Sequence, residues 1–578
     1  MATCGEAAIR LLEQHGVDTV FGIPGVHTLE YYRGLADSPI RHVTPRHEQG
    51  AGYMACGYAR VTGRPGVCIL ITGAGLTNAA TAIATAHHDS LPLLVLSSDT
   101  QTADARRGHG ALHDLPDQPA FMATITGMTI EVADPADLPD AFARAWEALT
   151  ARRPRPVHIS VPLDVLARPA ASDARLPDRS APPAPDAALI AEAADILARA
   201  ERPMLLLGGG AAGAQAEAIA LAERLGAPAT SSIAGRGIVP DAHPLGLGAT
   251  ATIGPVHAAL ASADVVVAVG TEFSETDYFY APGFEPPAFT GDLIRIDIDP
   301  GQLQKRRPAR VAIEADAALA MAALEAALAE RGRDGAGGAE RARALREDPA
   351  GWEGMEEFRG VVAALEAALA ERGRDGAGGA ERARALRDDP AGWEGMEEFR
   401  GVAEALMAAL PEDGVLAVDS TQPAYAAAHL WRSTRPNAYL PYGGFGTLGP
   451  ALPMAIGAKL GAPERPVMAL AGDGGFLFTV QELATAVDLG LPLAIVLWQN
   501  HGYGEILDSM ERADVPPVGV DTTAHDYLRI AEGFGCRAVR AESLDALPAL
   551  AAEAFAGDRP TLIEVVAERV APGSLPVR

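Results

Sequence analysis

Asp473 and Asn500 stand 27 positions apart, at the two ends of the stretch GDGGFLFTVQELATAVDLGLPLAIVLWQN. Asp473 lies among Gly472, Gly474 and Gly475, residues that permit positive φ or close backbone approach. The helical pattern FTVQELATAVDLG follows, and a glycine turn feeding a helix N-terminus presents N–H groups suited to phosphate. A carboxylate and a phosphate do not share such a turn without a cation between them. Asn500 ends the next apolar run and offers a neutral oxygen at the same sheet edge. One carboxylate, one amide oxygen and diphosphate oxygens form a shell suited to Mg²⁺. Taken singly, GDG is a tight turn and Asn500 a strand cap. The whole strand–turn–helix–strand–Asn arrangement is what points to a metal–diphosphate pair.

These residues need strands to carry them, and the strands are legible. VMALAG and LPLAIVLW are wholly apolar runs flanking a helical pattern, the mark of parallel strands covered on both faces. The same alternation fills most of the chain. Residues 1–168 contain VDTVFGIPG, GVCILITGAG, LPLLVLSS and PVHISVPLDV. Residues 188–321 contain PMLLLGGG, DVVVAVGTEF and LIRIDID, and residues 403–578 contain DGVLAVDST, PVMALAGDGG and RPTLIEVV. The expected fold is therefore α/β, with three doubly wound parallel-sheet domains in a row. Residues 169–187 read as a proline-rich linker. Residues 322–402 hold a 40-residue segment that starts at Ala322 and returns at Ala363, with Glu347 becoming Asp388 as its sole change. Two near-identical copies between unrelated domains indicate a tandem duplication in a connector, which costs little loop entropy.

Composition narrows the partners. The 578-residue chain has 48% hydrophobic and 21% charged residues, as in a globular protein of several domains. A net charge of −28 argues against nucleic acid or an anionic membrane as partner. The four scattered cysteines form no metal-like pair and suggest reduced thiols in a cytoplasmic protein. The N-terminal helix pattern carries Glu6, Arg10 and Glu13, unlike a signal peptide, and no run reaches membrane-spanning length.

GDG followed by Asn at this spacing resembles the metal and diphosphate motif of the thiamine diphosphate enzymes of the acetolactate synthase and 2-oxo acid decarboxylase superfamily. The resemblance implies that Asp473 and Asn500 bind the cation, with the carbonyl of Gly502 as third protein ligand. Members often have two asparagines here; this chain has Gln499 then Asn500, and the second is the usual ligand. TPRHEQGAGYMACGYAR resembles the segment bearing the activating acid, Glu48. Bonded to N1′ of the aminopyrimidine, that acid favours the imino tautomer, whose nitrogen takes the C2 proton. YGGFGTLGPALPMAIGAKLG, from Tyr442, resembles the segment holding the aminopyrimidine, with Gly446 accepting from the 4′-amino group, Thr447 beside it and Leu448 as the wedge that bends the cofactor. AVDSTQ brings Ser420, Thr421 and Gln422 near the diphosphate with Gly472, Gly474 and Gly475. Gly25, Tyr503 and Gly504 complete the implied cofactor set. GGGAAG (Gly208 to Gly213) is a weak nucleotide signal by itself. The flavin segment of acetolactate synthases has no match, so FAD is not expected.

The resemblance spans the chain apart from the duplicated connector. It is strongest to the decarboxylases of 2-ketoarginine (5-guanidino-2-oxopentanoate), on GIPGVHTLEYYRGL, IRHVTPRHEQGAGYMACGYARVTGRPGVC, LHDLPDQPA and GYGEI. It implies non-oxidative decarboxylation through ylide and enamine, releasing CO₂ and 4-guanidinobutanal. TGPG reads TGAG at Thr72 to Gly75, ADGYAR reads ACGYAR at Cys56, and HHDS introduces His87 and His88; these departures bear on the substrate. A guanidinium tail calls for carboxylates, and Glu505 and Asp508, just after the metal loop, are the candidates. His27 and His113 are candidate proton relays. An acetolactate synthase-like carboligase, joining the enamine to a second oxo acid or aldehyde, is the alternative; a non-catalytic thiamine-fold scaffold is a remoter one. In the superfamily the glutamate of one subunit faces the metal site of another, which implies a homodimer paired into a homotetramer.

Overall fold

Strands that read as unbroken apolar runs are buried on both faces, as parallel strands between helical layers must be. Gly66–Leu70, Leu93–Asp99, Val467–Gly472 and Leu493–Gln499 have almost no exposed residue. In the computed structural model these belong to three six-stranded sheets. The structure describes residues 2–170, 181–252, 254–278, 289–335, 397–441, 443–523 and 525–570. Residues 171–180 of the expected linker and 336–396 of the duplicated connector lie outside the described residues.

The chain divides into two compact units. The first contains residues 1–181, 414–421 and 442–578. Its N-terminal sheet runs Arg41–Val43, Thr19–Gly22, Gly66–Leu70, Leu93–Asp99, Val157–Pro162 and Met128–Glu131, each strand parallel to its neighbours. The C-terminal sheet repeats that order from the second strand on, as Val415–Val418, Val467–Gly472, Leu493–Gln499, Thr561–Val566 and Arg537–Arg540. Both therefore reverse direction of winding at the same place, and ligands of open α/β sheets bind beyond the strand C-termini at such points.

Two helices join the sheets of this unit. Glu48–Thr62 and Ala451–Gly461 are built largely of glycine, alanine and methionine on their buried faces. A Cβ on Gly57 would strike the Met454 carbonyl, and one on Gly457 would strike the Met54 carbonyl. The contact is reciprocal, backbone against backbone.

The second unit contains residues 182–413 and 422–441. Its sheet runs Val311–Glu314, Asp292–Asp297, Val265–Val269, Pro203–Leu207, Ala229–Ser231 and Gly246–Gly248. Helix Ala317–Glu330 packs Met321, Leu324 and Leu328 into this unit's core, so the opening of the first repeat copy is part of that core. Arg236, wholly buried, donates to the carbonyls of Ala428 and Trp431 and lies over the Tyr439 ring at 5.0 Å.

Candidate active site

Strand Val467–Gly472 ends with Gly472 paired to Trp498 of the neighbouring strand, so Asp473 and Asn500 leave the sheet at one edge. Asp473 is 2% exposed and accepts the Gly474 N–H at 2.8 Å. Burial raises its carboxyl above the usual range, while N–H groups of Gly474, His501 and Gly502 and the charge of His501 pull it back. The two ends of the GDG…Asn stretch thus meet through the backbone after Asn500. His501 turns the chain at φ 63°, a left-handed conformation uncommon outside glycine. The turn is fixed by Tyr503 N–H to Val520 O (2.9 Å), Thr522 N–H to His501 O (3.2 Å) and a bridge from Gly502 to Asp521.

The glycines of this turn are closely surrounded. A Cβ on Gly472 would lie 2.8 Å from Thr421 Oγ1, one on Gly474 2.7 Å from the Tyr503 ring, and one on Gly475 2.5 Å from Asp419 Oδ2. Among the described residues no cluster of three His, Cys, Asp or Glu could hold a metal alone. One buried carboxylate beside the turn that follows Asn500 offers fewer ligands than a hard cation takes, so such an ion would bring part of its shell on an anion. The residues present fit a Mg²⁺–diphosphate group.

Asp419 went unnoticed in the sequence. Its carboxylate accepts the Gly449 N–H at 3.0 and 2.9 Å and the Ser420 N–H at 2.8 Å. Complete burial pushes its pKa up to about 7 against those donors. It ties together the turns at Ser420–Thr421, Gly446–Gly449 and Gly472–Gly475. Only its place at the end of the apolar run GVLAVD hinted at it. In the middle turn Gly446 has φ 68°, Thr447 accepts from Tyr53 Oη at 3.0 Å, and Leu448 is half-buried. Gln422, buried, opens helix Gln422–Leu430 in the other unit.

A second group of candidates gathers at the edge of the N-terminal sheet. Glu48 opens its helix, half-exposed, and accepts Asn78 Nδ2–H at 2.9 Å. Its Oε1 lies 3.6 Å from where a Gly75 Cβ would be. His27 is buried, with Nδ1 3.0 Å from Thr72 Oγ1, which is 2.9 Å from Ser98 Oγ. The His27 and His113 rings meet edge to face at 5.1 Å. Burial and the His113 charge lower the His27 pKa. Gly25 is extended, its N–H on Thr28 Oγ1 at 3.1 Å, and packs on Ile71.

Gly504 begins the helix Gly504–Arg512, which places Glu505 and Asp508 three residues apart on one flank, both half-buried. Two further carboxylates, Asp89 and Glu482, bond backbone N–H groups beside these turns.

Residues 2–121, 190–324 and 419–565 match three models, described as the N-terminal TPP binding, central and C-terminal TPP binding domains of thiamine pyrophosphate enzymes. The chain is 44% identical to the probable 2-ketoarginine decarboxylase AruI of Pseudomonas aeruginosa, covering 97% of this chain and 94% of that protein. It is 30% identical to a probable acetolactate synthase large subunit of Methanocaldococcus jannaschii, over 97% and 91% of the two chains. The acetolactate synthase large subunit of Corynebacterium glutamicum is 32% identical over 98% and 86%. Among solved structures, one of a putative thiamin diphosphate-dependent enzyme from Mycobacterium smegmatis matches with TM-score 0.76 at 26% identity, covering 98% and 99%.

Proposed function

Because this chain belongs to the thiamine pyrophosphate enzyme family, we propose that it decarboxylates 5-guanidino-2-oxopentanoate without oxidation, releasing CO₂ and 4-guanidinobutanal. Decarboxylase and synthase relatives make the chain an enzyme rather than a scaffold. The observation that carries the reading is the meeting of Asp473 with the turn after Asn500 at one sheet edge, opposite a glycine turn with no room for side chains.

Bound thiamine diphosphate supplies a nucleophilic carbon and a sink for the electrons left behind by CO₂. The chain's own residues do the rest. Asp473, Asn500 and the Gly502 carbonyl hold Mg²⁺; Gly472, Gly474, Gly475, Ser420, Thr421 and Gln422 hold the diphosphate, with Tyr503 and Gly504 closing the turn. Gly446, Thr447 and Leu448 would hold the aminopyrimidine, and Gly25 would lie beside it. Glu48 would bond N1′ of that ring and so activate it. His27, whose pKa burial lowers, and His113 would relay protons beside the bound group. Glu505 and Asp508 receive the guanidinium.

Glu48 serves the cofactor of a second copy in this reading, so the active unit is a homodimer in the cytoplasm, paired into a tetramer.

Product analysis with 2-ketoarginine, pyruvate and their mixture tests the proposal, with thiamine diphosphate and Mg²⁺ added. The expected result is 4-guanidinobutanal and CO₂ from 2-ketoarginine alone. A carbon–carbon coupled product from pyruvate, with no aldehyde from 2-ketoarginine, would establish the carboligase reading that the acetolactate synthase relatives favour.

A further inference from the structure

The crossed helices Glu48–Thr62 and Ala451–Gly461 are each entered through a turn held by a carboxylate from the opposite domain of the same unit. Glu482, with no exposed surface, accepts the Arg46 N–H at 3.0 and 3.1 Å on its two oxygens. It also accepts the His47 N–H at 3.1 Å and Thr485 Oγ1–H at 2.7 Å. A side chain on Gly50 would collide with its Oε1. The turn it grips ends one residue before Glu48. In the other direction, Asp89 accepts the Gly444 N–H at 2.7 Å on one oxygen and Arg60 Nη2–H at 2.5 Å on the other. The Arg60 and Asp89 side chains are 5% and 10% exposed, and the turn they grip leads to Gly446.

We propose that Glu482 and Asp89 are positioning residues, a reciprocal clamp in which each domain's carboxylate fixes the turn of the other that carries a cofactor-directed group: Glu48 in one direction, Gly446 in the other. This rests on the roles given above to those two groups. Stability alone does not account for it. A buried carboxylate is destabilising relative to a well-packed apolar side chain of similar size, and the glycine crossing already joins the domains. A carboxylate does what an apolar residue cannot. Glu482 takes the consecutive Arg46 and His47 N–H groups at once and so sets the direction in which Glu48 leaves the turn; Asp89 takes one turn N–H and is itself held by Arg60. The outer Arg46–Asp488 ion pair is exposed and adds little. Tyr53 Oη, on the helix that Glu48 opens, donates to Thr447 of the second turn.

The test compares the wild-type protein with E482Q, T485V, D89N and E48Q. In the cofactor-free protein, hydrogen–deuterium exchange reads the amides of Arg46, His47 and Gly444. In the loaded protein, calorimetry gives thiamine diphosphate affinity and quenched NMR gives the C2–H exchange rate. E482Q keeps one acceptor of two. It is expected to expose the Arg46 and His47 amides, to leave the Kd within about threefold, and to slow C2–H exchange by roughly ten- to a hundredfold, the cost of a small misplacement. T485V retains the charge and removes one donor, so a smaller change of the same sign is expected; it carries the test if E482Q does not fold. D89N is expected to expose the Gly444 amide and spare those of Arg46 and His47. Slowed exchange in E48Q with wild-type exchange in E482Q and T485V would overturn the clamp alone. Wild-type exchange in E48Q would overturn the role of Glu48, and the clamp's purpose with it.

Discussion

Asp473 is buried, yet three backbone N–H groups and a histidine favour its charge. A buried charge calls for a partner, and a cation is the one proposed here. Asp473→Ala is expected to weaken Mg²⁺ and thiamine diphosphate binding by more than the ~10–100-fold that loss of a ligand's supporting partner costs, as read by calorimetric titration. Unchanged affinity would remove it from the site. The placing of Asp473 and Asn500 at one sheet edge was legible because a glycine turn and a strand end are local signals. Asp419, Asp89 and Glu482 were not, because their partners lie 30, 355 and 436 positions away. Glu482 looked like an ordinary polar position of the helix pattern FTVQELATAVDLG, though its side chain is fully buried.

Strands and helices were far more legible than these single acids. Runs such as GVCIL and LPLAIVLW have one reading when both faces of a sheet are covered, and the structure buries them so. The helix crossing was hidden, since glycines in RHEQGAGYMACGYAR say that something comes close without saying what. Gly457→Ala would place a Cβ against the Met54 carbonyl and is expected to destabilise by about 1–3 kcal/mol, as overpacking does, measured by denaturant unfolding. His158, in the core of strand Val157–Pro162, makes a second expectation. Burial lowers its pKa from 6.5 to about 3. Between those values the unfolded chain binds the extra proton and the folded one does not, so stability falls as the pH drops from 6.5 towards 3. His158→Gln is expected to flatten that part of the profile, followed by thermal melts at fixed ionic strength. An unchanged slope would clear His158.

The whole molecule was readable as three α/β domains, and three six-stranded parallel sheets are present. Its division into two units was not readable, because residues 422–441 belong to the same unit as the central sheet although they follow a strand of the first unit. Arg236 bonds two carbonyls of that segment, 195 and 192 positions away. At this scale the expectation concerns assembly. Dilution that drives the protein to monomer in sedimentation should abolish decarboxylation in parallel, and full activity in a monomer would sink the two-subunit site.

The N-terminal and C-terminal sheets share one strand order, and the same positions in that order carry TGAG in one and GDGG in the other. Two sheets threaded on one plan present their strand ends alike, so what separates the halves is the side chains set there. The first has an acid, Glu48, at the entrance of its helix; the second has Asp473 in its glycine turn and Pro450 before its own helix.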